Sequence, residues 1–264
     1  PYEMGPMEEM QVGSKGDVNI GEVWSGFASV LPVKQPARRS IKLAASIAHI
    51  NDQKITGAEA FTAEPESGRW QEYPFALKAL GDKAFTKGNN MMIIHRYAHQ
   101  PHPTASPGMT MGPWGILFER TNTLWYQGKA WLNYLSRCQY LLRQGNFVAD
   151  LIYFTGEDAN MYTSVNSEDL TPVPPAGYDY DLINAEVLLK KVKVSNNRLV
   201  LANGSSYRIF VLQNYKAISV ALLQKLRELV NDGLILVGAR PEQSTGLSDI
   251  DGEDAAFNKI VADL

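Results

Sequence analysis

Two rhythms of apolar residues alternate along this chain. Short, nearly continuous runs read as buried strands: Lys54 to Ala60, "NMMIIH" from Asn90 to His95, "FVADLIYFTGED" from Phe147 to Asp158, Arg208 to Leu212, and Leu234 to Gly238. Between them the apolar positions fall at helical spacing. Ser40 is placed to cap a helix through His49, with Ile41, Ala44, Ala45 and Ala48 on one face. Pro74 to Phe85 repeats the pattern with Phe75, Leu77, Leu80 and Phe85. The clearest helix is expected over Asn122 to Gln144, where Trp131, Tyr134, Leu135, Cys138, Leu141 and Leu142 share a face and Gly145 supplies the stop. Asp181 to Lys190 and Ala217 to Asn231 complete the helices, and "VKVSNNRLVL" reads as a hairpin turning at Asn196–Asn197. The stretch up to about Gly21, the Pro- and Gly-rich segment from Gln100 to Gly115, and Thr171 to Tyr178 read as loop or connector. Strands alternating with helices predict an α/β protein with parallel strands.

The 264 residues suit one large domain or two smaller ones. A shift in composition divides the chain near residue 146: all five Trp and all four His precede it. A surface for a polar ligand is therefore expected in the first part. The formal net charge of −3 and the lack of a Lys/Arg block argue against nucleic acid or an anionic membrane as partner; Arg38, Arg39 and Lys42 are too few. No run is long enough to span a bilayer. The single cysteine, Cys138, excludes an intramolecular disulfide and any CxxC metal or redox motif. The chain opens at Pro1 without a Met or a signal-peptide pattern, as expected of a piece of a longer protein or of a processed one.

Glu59 ends the run "ITGAEA" between two small residues. In α/β barrels the C-terminal ends of strands carry the site, so a carboxylate there is a candidate catalyst; the alternative is an ion pair with an Arg at the barrel end. Glu22 in "IGEVW" repeats the arrangement, and two such glutamates can flank one glycosidic bond as acid and base, unless Glu22 is an ordinary turn residue. His95 and His99 have the spacing of a helical zinc site, but Arg96 stands where HExxH has its glutamate, and the segment follows a strand. His95, His99 and Gln100 as hydrogen-bond partners for hydroxyls, with Trp114 as a stacking platform, describe the segment better; each His also has an ordinary structural reading. Glu157 and Asp158 in "TGEDAN" either meet a ligand or cap a neighbouring element. No GxGxxG, Walker A or GxSxG pattern is present, so nucleotide and serine-hydrolase chemistry have no motif.

Assembled, the stretches "GEVW", "AASIAHI", "AEAFTA", "NNMMIIHRYAHQPH", "PGMTMGPWG" and "YLSRCQYLLRQGNFVADLIYFTGED" resemble the glycoside hydrolase family 106 α-L-rhamnosidases from about residue 15 to about residue 240. The resemblance implies part of a (β/α)8 barrel over residues 1–145, followed over 146–264 by a flavodoxin-like, amidotransferase-like α/β domain without a Cys nucleophile. It implies inverting release of terminal α-L-rhamnose, with Glu59 as a catalytic carboxylate and base, Glu22 as a second one or a calcium ligand, and Ca2+ at the sugar site; a glycosidase of different sugar specificity on the same scaffold and a noncatalytic carbohydrate-binding remnant are the alternatives. It also implies a carbohydrate substrate, a secreted, periplasmic or cell-surface parent protein, and an upstream barrel half. A full barrel needs about 200 residues or more, and only about three of its strands are expected here.

Overall fold

The computed structural model describes residues 7–25, 40–63, 65, 70–112, 114–158, 166–246 and 250–264, the side chains of 250–253 excepted. Of the residues read above, Arg38, Arg39, Pro113, Ala159 and Asn160 lie outside these. In chain order the elements are α1 (Glu9–Gly13), β1 (Asn19–Ser25), α2 (Ile41–Ile50), β2 (Thr56–Ala63), α3 (Pro74–Thr86), β3 (Met91–Ile94), α4 (Lys129–Leu142), β4 (Leu151–Phe154), β5 (Tyr180–Ile183), α5 (Ala185–Lys190), β6 (Lys193–Ser195), β7 (Arg198–Val200), β8 (Ser206–Tyr207), β9 (Ile209–Gln213), α6 (Val220–Asn231), β10 (Ile235–Gly238) and α7 (Ile250–Asp263). Two compact units emerge. One comprises Val18–Ala45 and Lys54–Gly145; the other comprises Pro1–Asp17, Ser46–Gln53 and Asn146–Leu264.

In the first unit β1, β2 and β3 form a parallel sheet in that order. Strand alternation sends Val23, Ala58 and Ala60 to one face, where they join Leu77, Ala84, Trp131 and Leu135 in one buried apolar cluster. Glu22 and Glu59, one residue out of phase with these, take the opposite face. Gly21 is required by close packing: a Cβ there would lie 2.8 Å from the backbone nitrogen of Ile41, at the start of α2. Ser40 caps α2 as expected, its Oγ accepting from the backbone N–H of Lys42 at 3.1 Å. Strand β1 was not expected to begin before Gly21; its pairing with β2 runs from Asn19 to Ser25.

The helix expected from Asn122 starts only at Lys129. The intervening residues are held as turns. Asn122 donates its side-chain amide to the carbonyl of Leu117 at 2.5 Å, and its Oδ1 accepts from Leu124 N–H at 2.9 Å. Helical spacing of the apolar residues could not reveal this competition from an Asn side chain.

The second unit carries a parallel sheet in the order β10-β9-β4-β5, flanked by the antiparallel β6-β7-β8. Its core includes Ile152, Leu182, Phe210 and the apolar face of α6, Leu222, Leu223, Leu226 and Leu229. The helix expected over Asp181 to Lys190 divides in two: Tyr180–Ile183 is strand, wholly buried and paired with Leu151–Phe154, and α5 begins at Ala185. Pairing on the sheet outcompetes local helix propensity. Asn184 makes the break, its side chain accepting from Val187 N–H. The expected hairpin forms, with Asn196 and Asn197 both left-handed at φ 51° and 57°, the geometry of the tight turn that Asn accepts. The observed architecture is mixed α/β with parallel sheets, as the alternation predicted.

Candidate active site

Glu22 and Glu59 are register partners on adjacent strands, so both side chains start from the same face of the sheet. Glu22 is 6% exposed; the Glu59 side chain keeps 31% of its surface. Trp24, two residues beyond Glu22 and on the same face, donates its indole N–H to Glu22 Oε2 at 2.5 Å. Trp114 meets Trp24 edge to face, with ring centroids 6.0 Å apart at 80°.

On β2 the alternation breaks. Val23 pairs with Ala60 but Trp24 pairs with Thr62, which leaves Phe61 as an extra residue in a β-bulge with φ 66°. The bulge turns Phe61 into the helix-side core, where its ring lies 5.2 Å from that of Trp131. It also returns Thr62 to the face of Glu59, whose Oε1 accepts from Thr62 Oγ1 at 2.5 Å.

His95 follows the end of β3. Its backbone N–H donates to the carbonyl of Ala60, and its Nδ1 stands 3.9 Å from Glu59 Oε1. That Nδ1 is buried and, among the described residues, has no hydrogen bond. Gly115 closes over the ring: its N–H donates to Ala63, Ile116 N–H donates to the His95 carbonyl, and a Cβ at 115 would fall 2.9 Å from His95 Nδ1. At φ 79° the position suits glycine on backbone grounds as well.

Of the six residues expected at the site, the described contacts join Glu59 to His95, register joins Glu22 to Glu59, and Trp114 adjoins through Trp24. Gln100 is engaged in its own loop, its side chain pairing with both the N–H and the carbonyl of Met109. His99 is exposed, and no described contact brings it to the carboxylates. Glu157 caps: its Oε1 accepts from the backbone N–H of Ser219, at the N-terminus of α6. Cys138 packs partly buried against the core of the first unit.

Two carboxylates in the first unit were not anticipated. Glu119, 1% exposed, accepts from both the N–H and the hydroxyl of Thr121 and closes a turn. Glu72 lines a small surface cleft with Trp70, Tyr73 and Trp131. Burial raises its pKa above the usual carboxylate range, and the Ser25 hydroxyl opposes that shift. Glu72 lacks the apolar lead-in that singled out Glu22 and Glu59; Glu119 has it, at the end of "GILFE", so the same signal could have found it.

Calcium takes six to eight oxygens, about 2.3–2.6 Å away. Among the described residues no group of three or more His, Cys, Asp or Glu is gathered to hold a metal ion. Glu22 Oε2 is already engaged by Trp24. The described side chains alone therefore do not make up such a site. Among the described residues no helix is long and apolar enough to cross a membrane.

The family model described as alpha-L-rhamnosidase, glycoside hydrolase family 106, matches residues 3–264, and the chain belongs to that family. It is 38% identical over 261 residues to a protein of Formosa agariphila named "Putative beta-glucuronidase", covering 98% of this chain and 21% of that protein. Its fold matches the structure of a rhamnosidase from Novosphingobium sp. PP1Y with a TM-score of 0.86 and 28% identity, over 96% of this chain and 24% of the other. The chain thus spans between a fifth and a quarter of the length of these two relatives.

Proposed function

We propose that this chain is part of a glycoside hydrolase that releases terminal α-L-rhamnose with inversion, and that Glu59 is its general base. The observation that carries the reading is the placement of Glu59: a partly exposed carboxylate register-paired with Glu22, with Thr62 and His95 on one of its oxygens. A base for this reaction deprotonates a water on the face of the sugar opposite the leaving group, while an acid about 6.5–9.5 Å away protonates the departing oxygen. Glu22, held by Trp24, serves as a second carboxylate at the sugar, and the acid is assigned to a residue outside those described. Trp114 packs on the apolar face or methyl group of the sugar, and His95, His99 and Gln100 belong to the loop that meets its hydroxyls.

The parallel β1-β2-β3 sheet supports reading the first unit as part of a (β/α)8 barrel completed by an upstream segment. The parallel strands of the second unit, counted along the chain, lie in the order 2-1-3-4, which supports a flavodoxin-like, amidotransferase-like domain. Calcium at the sugar site would draw further oxygens from that upstream segment. A secreted, periplasmic or cell-surface location fits an enzyme that acts on polysaccharide.

The name of the Formosa agariphila relative favours one second reading, hydrolysis of a β-glucuronide. Both are tested by assaying the full-length gene product against aryl α-L-rhamnoside and aryl β-D-glucuronide, with Glu59→Gln alongside. The rhamnoside is expected to be cleaved, and Glu59→Gln to lower kcat by about 10²-fold or more, as for loss of a general base. Turnover of the glucuronide alone would select the second reading, and a Glu59→Gln variant as active as the wild type would remove Glu59 from catalysis.

A further inference from the structure

We infer that Thr62 is a positioning residue for Glu59, fixing Oε1 so that Oε2 is the oxygen that meets the reacting water. The inference rests on the proposal that Glu59 is the base. Residues 59 and 62 are three apart, and in a regular strand they would face opposite sides of the sheet. Only the extra residue at Phe61 brings them together. That bulge is held under evident constraint. A β-strand phenylalanine at φ 66° is a rare conformation for a bulky side chain, and Phe61 is completely buried in it. Gly81 on α3 leaves space for the ring, and Trp131 on α4 packs on its other contact surface. The core thus enforces a backbone irregularity whose consequence on the opposite face is a hydrogen bond to the candidate base.

The Thr62 hydroxyl is 3% exposed as part of its residue and donates to Oε1 at 2.5 Å. His95 Nδ1 faces the same oxygen at 3.9 Å. Among the described residues no hydrogen bond falls on Oε2. Among the described residues the two oxygens of one carboxylate are therefore inequivalent: one is held by the scaffold and the other takes no hydrogen bond from it. A carboxylate that rotates between equivalent orientations would spend much of its time misaligned with the attacking water; one tethered through Oε1 is already oriented.

The test uses the full-length gene product carrying Thr62→Val, which keeps the shape and removes the hydroxyl, and Thr62→Ser, which restores it. Loss of the tether is expected to lower kcat on aryl α-L-rhamnoside by about 10- to 100-fold while KM changes less than about threefold, because orientation rather than sugar binding is lost. Thr62→Ser is expected to recover most of that loss, and the thermal midpoints of the variants to stay together. A Thr62→Val enzyme with wild-type kcat, or a Thr62→Ser enzyme no better than Thr62→Val, would overturn the inference. A crystal structure of Thr62→Val gives a check independent of turnover: Glu59 is expected in more than one orientation, and an unmoved, singly ordered carboxylate counts against the tether. Because Glu59→Gln is assayed in parallel, an inactive Glu59→Gln beside an unaffected Thr62→Val rejects the tether alone. A fully active Glu59→Gln rejects the base assignment itself.

Discussion

Gly81 of α3 sits against the ring of Phe61: a Cβ built at position 81 would lie 3.3 Å from Cζ and 3.6 Å from Cε1. Two effects compete in Gly81→Ala. Replacing a mid-helix glycine by alanine favours the helix by about 1 kcal/mol. Inserting a methyl group into a filled core costs about 1–3 kcal/mol where the neighbour cannot move. Phe61 is the bulged residue, fully buried and packed on Trp131, so it has little freedom to retreat. The expected net effect is a loss of up to about 2 kcal/mol, read as a lower urea midpoint at unchanged m-value. Phe61→Leu in the same chain should make the alanine less costly, because the two residues share one contact. An alanine variant more stable than the wild type would show that the bulge is not held from the helix side.

That relationship also marks what the sequence could convey. The parallel α/β class and the hairpin at Asn196–Asn197 followed from periodicity and turn chemistry alone. Glu22 and Glu59 lie on the sheet, but mid-strand rather than at the expected strand ends, because β1 runs on to Ser25 and β2 to Ala63, beyond the glutamates that close the apolar runs in the sequence. The Thr62–Glu59 contact did not. Alternation assigns those two residues to opposite faces, and nothing in "EAFT" announces that a phenylalanine will adopt φ 66°. The late start of α4 was hidden for a similar reason, because the Asn122 side chain competes for backbone groups inside a stretch of otherwise helical spacing. Asp181 to Ile183 read as helix because their pairing partners lie some thirty residues earlier, at Ile152–Phe154. Local pattern reports which residues prefer burial, while long-range pairing decides the element in which they are buried.

Asp181 is the second feature that local pattern concealed. It is wholly buried on β5, and its carboxylate accepts from Ser46 Oγ at 2.8 Å and Tyr207 Oη at 2.8 Å. His49 Nδ1 lies 3.0 Å from each of its oxygens, which assigns the proton of that ring to Nδ1, and the ring stacks on Phe147 at 4.3 Å. Three described donors converge on one acceptor group. Asp181→Ala would leave all three without it, and a loss of about 3–5 kcal/mol is expected. Tyr207→Phe removes a single bond to a charged acceptor and should cost about 1.5–3 kcal/mol. The double variant should lose less than the sum, since both changes break the same bond. Denaturation in urea measures all three, and strictly additive losses would show that Tyr207 and Asp181 act independently.

Alkaline pH offers a separate test of the same core. Burial, and then nearby Asp181, raise the pKa of Tyr207 far above that of a free phenol. Burial first and acidic neighbours second also raise Tyr180, and burial with Asp158 pushes Tyr215 up to about 12. In the unfolded chain each phenol ionises near pH 10, roughly its ordinary value. Above that pH the unfolded state therefore binds fewer protons than the fold, and stability must fall as pH rises. The contribution is fully present below about pH 10, and for Tyr215 it is lost progressively as pH climbs towards about 12. Each buried phenol adds at most about 1.4 kcal/mol per pH unit to the slope within its window. Urea midpoints measured from pH 8 upwards should be flat at first and then decline beyond about pH 10. Tyr215→Phe has no phenol to ionise, so its decline above that point should be shallower by up to that amount per unit. A decline of equal steepness in Tyr215→Phe would place Tyr215 in contact with solvent, contrary to its packing on Phe154 at 5.5 Å and on Gly156, where a Cβ would approach its ring to 2.9 Å.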